Sequence, residues 1–175
     1  LATRMKVVAT TGNRNNELGV PLTIMDAGAD TDVLVVEMAM RGRGQIARLC
    51  EIAKPTAGLI TNVGVSHVEV LGSEEAIASA KSELVLAVPE AGRVFLNGDD
   101  AWSDAMAARA SAAVTRYGLG PDADVTARDV VVGEDGRPRF TLCCEQGEAD
   151  VMLPAPGRHN VYNALAAAAV GLYLE

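Results

Sequence analysis

Aromatic residues are scarce in this chain, 3% of 175 residues, so its core must be built from Val, Leu, Ile, Ala and Met. Cysteine is scarce too. Cys50, Cys143 and Cys144 make no disulfide framework, and the adjacent pair would point to opposite faces of a strand. Such usage fits a reduced, cytoplasmic protein. No apolar run reaches the ~18 residues of a membrane span, and no signal-peptide pattern opens the chain. Positive charge is in deficit: 15 Lys and Arg against 23 Asp and Glu leave a formal net charge of −8, which argues against a general nucleic-acid binder. A phosphate-bearing small ligand stays open, because a local site can be positive on an acidic protein. There is no Gly-Lys pair and no G-x-x-x-x-G-K-[ST] run. If the protein handles ATP, the phosphate-cradling loop of that type lies outside these residues.

What is present reads as a globular α/β protein. Hydrophobic residues make up 49% and charged residues 22%. Residues 1–118 alternate strand and helix, with strands expected near 5–9, 32–37, 57–63, 92–97 and 113–117 and helices near 19–27, 44–53, 73–88 and 100–112. Apolar strands alternating with helices imply a mostly parallel sheet covered by helices on both faces. Ser73 with Glu74 and Glu75 starts one helix, and Pro89 closes it. Asp99 and Asp100 are expected to cap the next. Residues 119–157 change character: 125–132, 137–144 and 149–153 read as antiparallel strands joined by the turns Glu134-Asp135-Gly136 and Gln146-Gly147. A last helix is expected over 158–175. The chain enters its first strand almost at once and stops inside a helical pattern, so one domain cut from a longer protein is the expectation.

Several segments are candidates for chemistry. Glu37 closes the apolar run Asp32-Val33-Leu34-Val35-Val36, where a carboxylate can hold Mg²⁺ directly or through water or can simply be a solvated acid. His67, one of two histidines, follows Thr61-Asn62-Val63-Gly64 at the end of the next strand. An acid and an imidazole ending successive strands can meet at one sheet edge, where α/β proteins place their ligands. Lys81 lies among small residues on a helix, either against the sheet edge or snorkelling to solvent. The loop Thr11-Gly12-Asn13-Arg14-Asn15-Asn16 offers amide donors to anionic or peptide groups. Asn160 and Asn163 share a helix face after Gly157-Arg158-His159, suited either to reading a base edge or to capping. Gly42-Arg43-Gly44-Gln45-Ile46-Ala47 fits a dinucleotide fingerprint, but Met38 to Arg41 loosen the turn and Asn62 stands where a ribose-binding acid is wanted.

Taken in order, TGNRNNELGVPLT (11–23), VVEMAMRGRGQI (35–46), TNVGVSHVEVLGS (61–73), ASAKSEL (78–84), LNGDD (96–100) and PGRHNVYNALAAA (156–168) resemble the Mur ligases of peptidoglycan synthesis over nearly the whole chain. Ala39 departs from the pattern, which often has glycine there. The resemblance implies the central ATP-binding domain, with a P-loop NTPase-like fold and a small antiparallel extension, flanked in the parent by N- and C-terminal domains.

The likeness is greatest to the branch that joins D-alanyl-D-alanine to UDP-N-acetylmuramoyl-tripeptide through an acyl phosphate, using ATP and Mg²⁺. By resemblance, Glu37 and His67 hold Mg²⁺, Lys81 is carbamylated, Asn13 faces the phosphate or acyl phosphate, and Asn160 and Asn163 lie by the adenine. Another Mur ligase or a folylpolyglutamate synthetase is the nearest alternative. A catalytically inert binding module is the alternative of a different class, and the isolated fragment is expected to be inactive.

Overall fold

The computed structural model describes residues 1–64 and 72–174. The chain alternates β1 (Val7–Ala9), α1 (Gly19–Met25), β2 (Val33–Val35), α2 (Gln45–Ala53), β3 (Ala57–Ile60), α3 (Glu74–Ala87), β4 (Arg93–Asn97), α4 (Ser103–Ala107) and β5 (Ala113–Tyr117). Three antiparallel strands follow, β6 (Thr126–Val132), β7 (Pro138–Cys144) and β8 (Gly147–Met152), and then α5 (His159–Leu174). The expected α/β order and the antiparallel extension are both present.

Local sequence accounts for the element ends. Ser73 Oγ accepts the Ala76 N–H at 3.1 Å, with Glu74 and Glu75 in the first turn of α3. At the other end α3 stops at Ala87, two residues before Pro89. Helix α4 is shorter than the expected 100–112. Asp100 spends its carboxylate on a tight turn, accepting the Trp102 N–H at 2.9 Å, so the helix begins only at Ser103.

Strand β4 shows how the layers are built. Alternate side chains leave a strand on opposite faces, and here Val94 and Leu96 enter one core while Phe95 enters another. The first core packs under α1 to α4 and holds Ile77, Ala80 and Val85 of α3, all with no exposed surface. Burying an aliphatic side chain of that size contributes about 1.5–3 kcal/mol. The second core joins Phe95 and Tyr117 to Val161 and Leu165 of α5 and to Phe140 of the antiparallel sheet. Both faces of β4 are therefore covered.

The first two strands differ from expectation. β1 pairs with β2, and β3, β4 and β5 pair in that order, all parallel, but β2 and β3 belong to separate sheets. Helix α1 packs on α2, α2 on α3 and α3 on α4, so one helix layer carries all four crossovers. Right-handed crossovers on one face move successive strands in one direction. The parallel strands thus form two sheets, β1-β2 and β3-β4-β5, under one helix layer. The apolar run of β2 is less covered than its composition suggests: Val33 and Leu34 are half-buried, Val35 is 45% exposed, and Leu59 of β3 is 37% exposed. Among the described residues no helix is long and apolar enough to cross a membrane.

Candidate active site

The candidate residues that the structure describes gather at the carboxyl-terminal ends of the parallel strands, the usual ligand edge of an open α/β sheet. Beyond β1, the loop of residues 11–18 is folded by its own amides. Asn16 Oδ1 accepts the N–H groups of Leu18 at 3.1 Å and Gly19 at 2.9 Å, which starts α1. Gly19 is required there: a Cβ would lie 2.4 Å from the Arg14 backbone. Asn13 is exposed at the tip of this loop.

Glu37 lies two residues beyond β2 and is exposed. Its backbone N–H donates to Thr10 Oγ1 at 2.9 Å, and its Oε1 accepts from Asn15 Nδ2 at 2.8 Å. The Asn15 carbonyl in turn accepts the Ala39 N–H at 2.8 Å. Asn15, whose part no residue-type rule had marked, therefore fixes the carboxylate in one orientation. A single oriented carboxylate suits Mg²⁺, which takes one or two such ligands and fills its shell with water and phosphate oxygens. Among the described residues no group of three His, Cys, Asp or Glu side chains forms a metal cluster. His67 lies outside the described residues. The strands that precede these two residues are successive in sequence but not hydrogen-bonded neighbours, which corrects the expected adjacency.

Lys81 is half-buried on α3 and does not snorkel. Its Nζ donates to the carbonyl oxygens of Asn62 at 2.6 Å and Val63 at 2.9 Å, just past β3. Burial pushes the ammonium below the ordinary lysine value of 10.5, and the Asp100 carboxylate partly opposes that. Tyr117, buried on β5, donates to the Ile60 carbonyl at 3.0 Å. Burial, and secondarily Asp100, push its phenol well above the ordinary range.

At the other side of this edge, Asn160 and Asn163 do share a face of α5. Asn160 Nδ2 donates to the Pro156 carbonyl at 2.7 Å, and Asn163 Nδ2 donates to Asn160 Oδ1 at 3.0 Å. Asn160 thus ties down the helix start and also orients Asn163, which is exposed.

The fingerprint-like Gly42–Ala47 segment has a different use. Glu83 on α3 reaches across and accepts the Gly44 N–H at 2.6 Å and the Ala47 N–H at 3.0 Å. A protein carboxylate already fills the start of α2, where a pyrophosphate would have to sit. Sequence reasoning missed Glu83 and Tyr117, and marked Asn15 only as one amide of the loop of residues 11–16. It marked Asp99 and Asp100 only as cap residues within LNGDD.

The Mur ligase middle domain model matches residues 1–171. The chain is 48% identical, over 98% of its length, to UDP-N-acetylmuramoyl-tripeptide--D-alanyl-D-alanine ligase of Mycobacterium tuberculosis and 38% identical, over 99%, to that of Bacillus subtilis. It spans 34% and 36% of those two proteins. Among solved structures, MurF from Acinetobacter baumannii superposes with a TM-score of 0.94 at 30% identity, covering 99% of this chain and 38% of that one. MurF from Thermotoga maritima in complex with ADP gives 0.88 at 28% identity, covering 99% and 40%. The chain belongs to the Mur ligase family and corresponds to its middle domain.

Proposed function

We propose that these 175 residues form one nucleotide-handling domain of a cytoplasmic ligase that joins D-alanyl-D-alanine to UDP-N-acetylmuramoyl-tripeptide, converting ATP to ADP and phosphate. The observation that carries this reading is the 48% identity, along 98% of the chain, to a relative bearing that activity in its name. A peptide carboxylate attacks the γ-phosphorus of ATP and ADP leaves. The resulting acyl phosphate is attacked at its carbonyl carbon by the dipeptide amine, and collapse of the tetrahedral adduct forms the amide and releases phosphate.

The barrier in such chemistry lies in bringing anions together. Mg²⁺, when bound, neutralises phosphate charge. Glu37, oriented by Asn15, and His67 are its proposed holders. Asn13 stands at the loop tip for the phosphate or acyl-phosphate oxygens, and Asn163, oriented by Asn160, for the adenine edge. Lys81, whose basicity burial lowers, is the proposed site of carbamylation by CO₂, with which only the neutral amine reacts. The β1-β2 and β3-β4-β5 sheets are both parallel and do not pair with each other, which leaves a place for one further parallel strand between β2 and β3. We place there the strand that leads into the phosphate loop, contributed by the remainder of the parent.

Other Mur-type ligases are less well supported. A 2,6-diaminopimelate ligase superposes at TM-score 0.78 with 20% identity and a Lactobacillus casei FPGS mutant at 0.69 with 16%, which is likeness of fold alone.

The test is ligation by the intact parent. Glu37→Gln and His67→Ala are each expected to lower the rate of amide formation at least about a hundredfold, a loss of some 3 kcal/mol of transition-state stabilisation. Near-normal rates in either would remove that residue from the metal site. The isolated 175 residues are expected to hydrolyse no ATP above blank, and magnesium-dependent turnover by them would contradict the proposed loop and strand.

A further inference from the structure

Two consecutive acids at the carboxyl end of β4 turn in opposite directions. β4 is the middle strand of the β3-β4-β5 sheet, so its end is flanked by the ends of both neighbours. Asn97 Oδ1 accepts the Asp99 N–H at 3.1 Å and bends the chain. Asp100 then reaches the β3 side, where its Oδ2 accepts the Val63 N–H at 2.7 Å. Asp99 reaches the β5 side and accepts the N–H groups of Leu119 at 2.7 Å and Gly120 at 2.9 Å. Residue 120 has to be glycine for this approach, because a Cβ would lie 2.6 Å from Asp99 Oδ1.

Each acid ends on the backbone that follows a different neighbour of β4. On the β3 side, Val63 is gripped twice. Its N–H is held by Asp100, and its carbonyl, together with that of Asn62, is held by Lys81. Val63 is 3% exposed, so neither peptide group has water as a substitute partner. The Asp100 charge also raises the basicity of Lys81, against the burial that lowers it. On the β5 side, Asp99 holds the backbone N–H groups of residues 119 and 120, and its carboxylate adds to the burial that raises the Tyr162 phenol on α5.

We propose that Asp100 is a positioning residue: through the Val63 peptide group, whose N–H it holds while Lys81 holds the carbonyl, it sets the placement of Lys81 and of segment 62–64, whereas Asp99 ties the same turn to the backbone of residues 119–120. This goes beyond the proposed ligase activity but rests on it. Both oxygens of Asp100 accept backbone N–H groups, those of Val63 and Trp102, so it acts through the groups it holds. Loss of Asp100 should therefore disturb the chemical step, and loss of Asp99 should not.

The experiment uses the intact parent with Asp100→Asn and Asp99→Asn. Asparagine keeps the shape and an acceptor oxygen but removes the charge. Asp100→Asn is expected to lower kcat at least about tenfold with KM for ATP changed less than about threefold, and Asp99→Asn, which alters only the hold on residues 119–120, to leave both within about threefold. A common structural weakening would move both parameters alike in both variants, and that result overturns the proposal. So does an Asp100→Asn enzyme with unchanged kcat.

A second measurement needs no variant. The Val63 amide of the wild-type parent should exchange with deuterium far more slowly than an open loop amide, and free-peptide exchange would overturn the clamp. If instead the wild-type parent forms no ADP with tripeptide and dipeptide present, the ligase reading fails, while Val63 exchange still reports on the clamp.

Discussion

Lys81 Nζ lies 2.6 Å from the carbonyl oxygen of Asn62, so the only lysine on α3 is spent on the backbone that follows β3. Two carbonyls favour the ammonium, as does Asp100, yet burial wins and the lysine titrates below 10.5. The folded chain therefore holds fewer protons than the unfolded chain between the folded value and 10.5. Lys81 costs stability below that window, and the cost fades as pH rises through it. Competitive acetylation followed by peptide mass spectrometry should give Lys81 a midpoint below 10.5, and Asp100→Asn should lower it further by removing the opposing charge. A midpoint at or above 10.5 would contradict the burial argument.

Glu83 joins two helices through one carboxylate, closing the start of α2 at Gly44 and Ala47 from its seat on α3. Glu83→Ala leaves two helix-start N–H groups without that acceptor and is expected to cost about 1–2 kcal/mol. Glu83→Gln keeps an acceptor, loses the charge at the positive helix end, and should cost about half as much. Urea unfolding of the 175-residue chain measures both. Equal stability of all three proteins would show that the cap contributes nothing.

Cys50 is buried on α2, and burial, with a smaller push from Glu83, raises its thiol to about 11. Since the thiolate is the nucleophile, iodoacetamide at neutral pH should label the half-buried Cys143 and Cys144 and spare Cys50 until the chain is unfolded in urea. Labelling of native Cys50 at the rate of the other two would place it in a more open setting. Glu83→Ala should speed its reaction, because the same substitution removes a charge that disfavours the thiolate.

Much of the fold was legible because its signals are local. Ser73 followed by two acids begins α3, Pro89 follows its end, and the glycine turns of residues 134–136 and 146–147 set the antiparallel hairpins where they were expected. The pairing of Asn160 with Asn163 is also local, since three residues on a helix always share a face. The separation of β2 from β3 was not legible. Periodicity says that two segments are strands and says nothing about which edges meet; that follows from the helices packing as one layer. Glu83, 39 residues from Gly44, and Asp100, 37 residues from Val63, are contacts across the fold that no window of sequence contains.

By itself, the order of six motifs determined the family, and apolar periodicity with turn and cap residues determined the elements. Those are properties of neighbouring residues, written into the chain before it folds. Tertiary structure alone decided that Lys81 faces backbone carbonyls and not water, that Asn15 orients Glu37, and that two adjacent acids divide between two sides of the site. Such decisions depend on which groups lose water together when the layers close. A buried amide or ammonium must find its partner in whatever element folding has brought beside it.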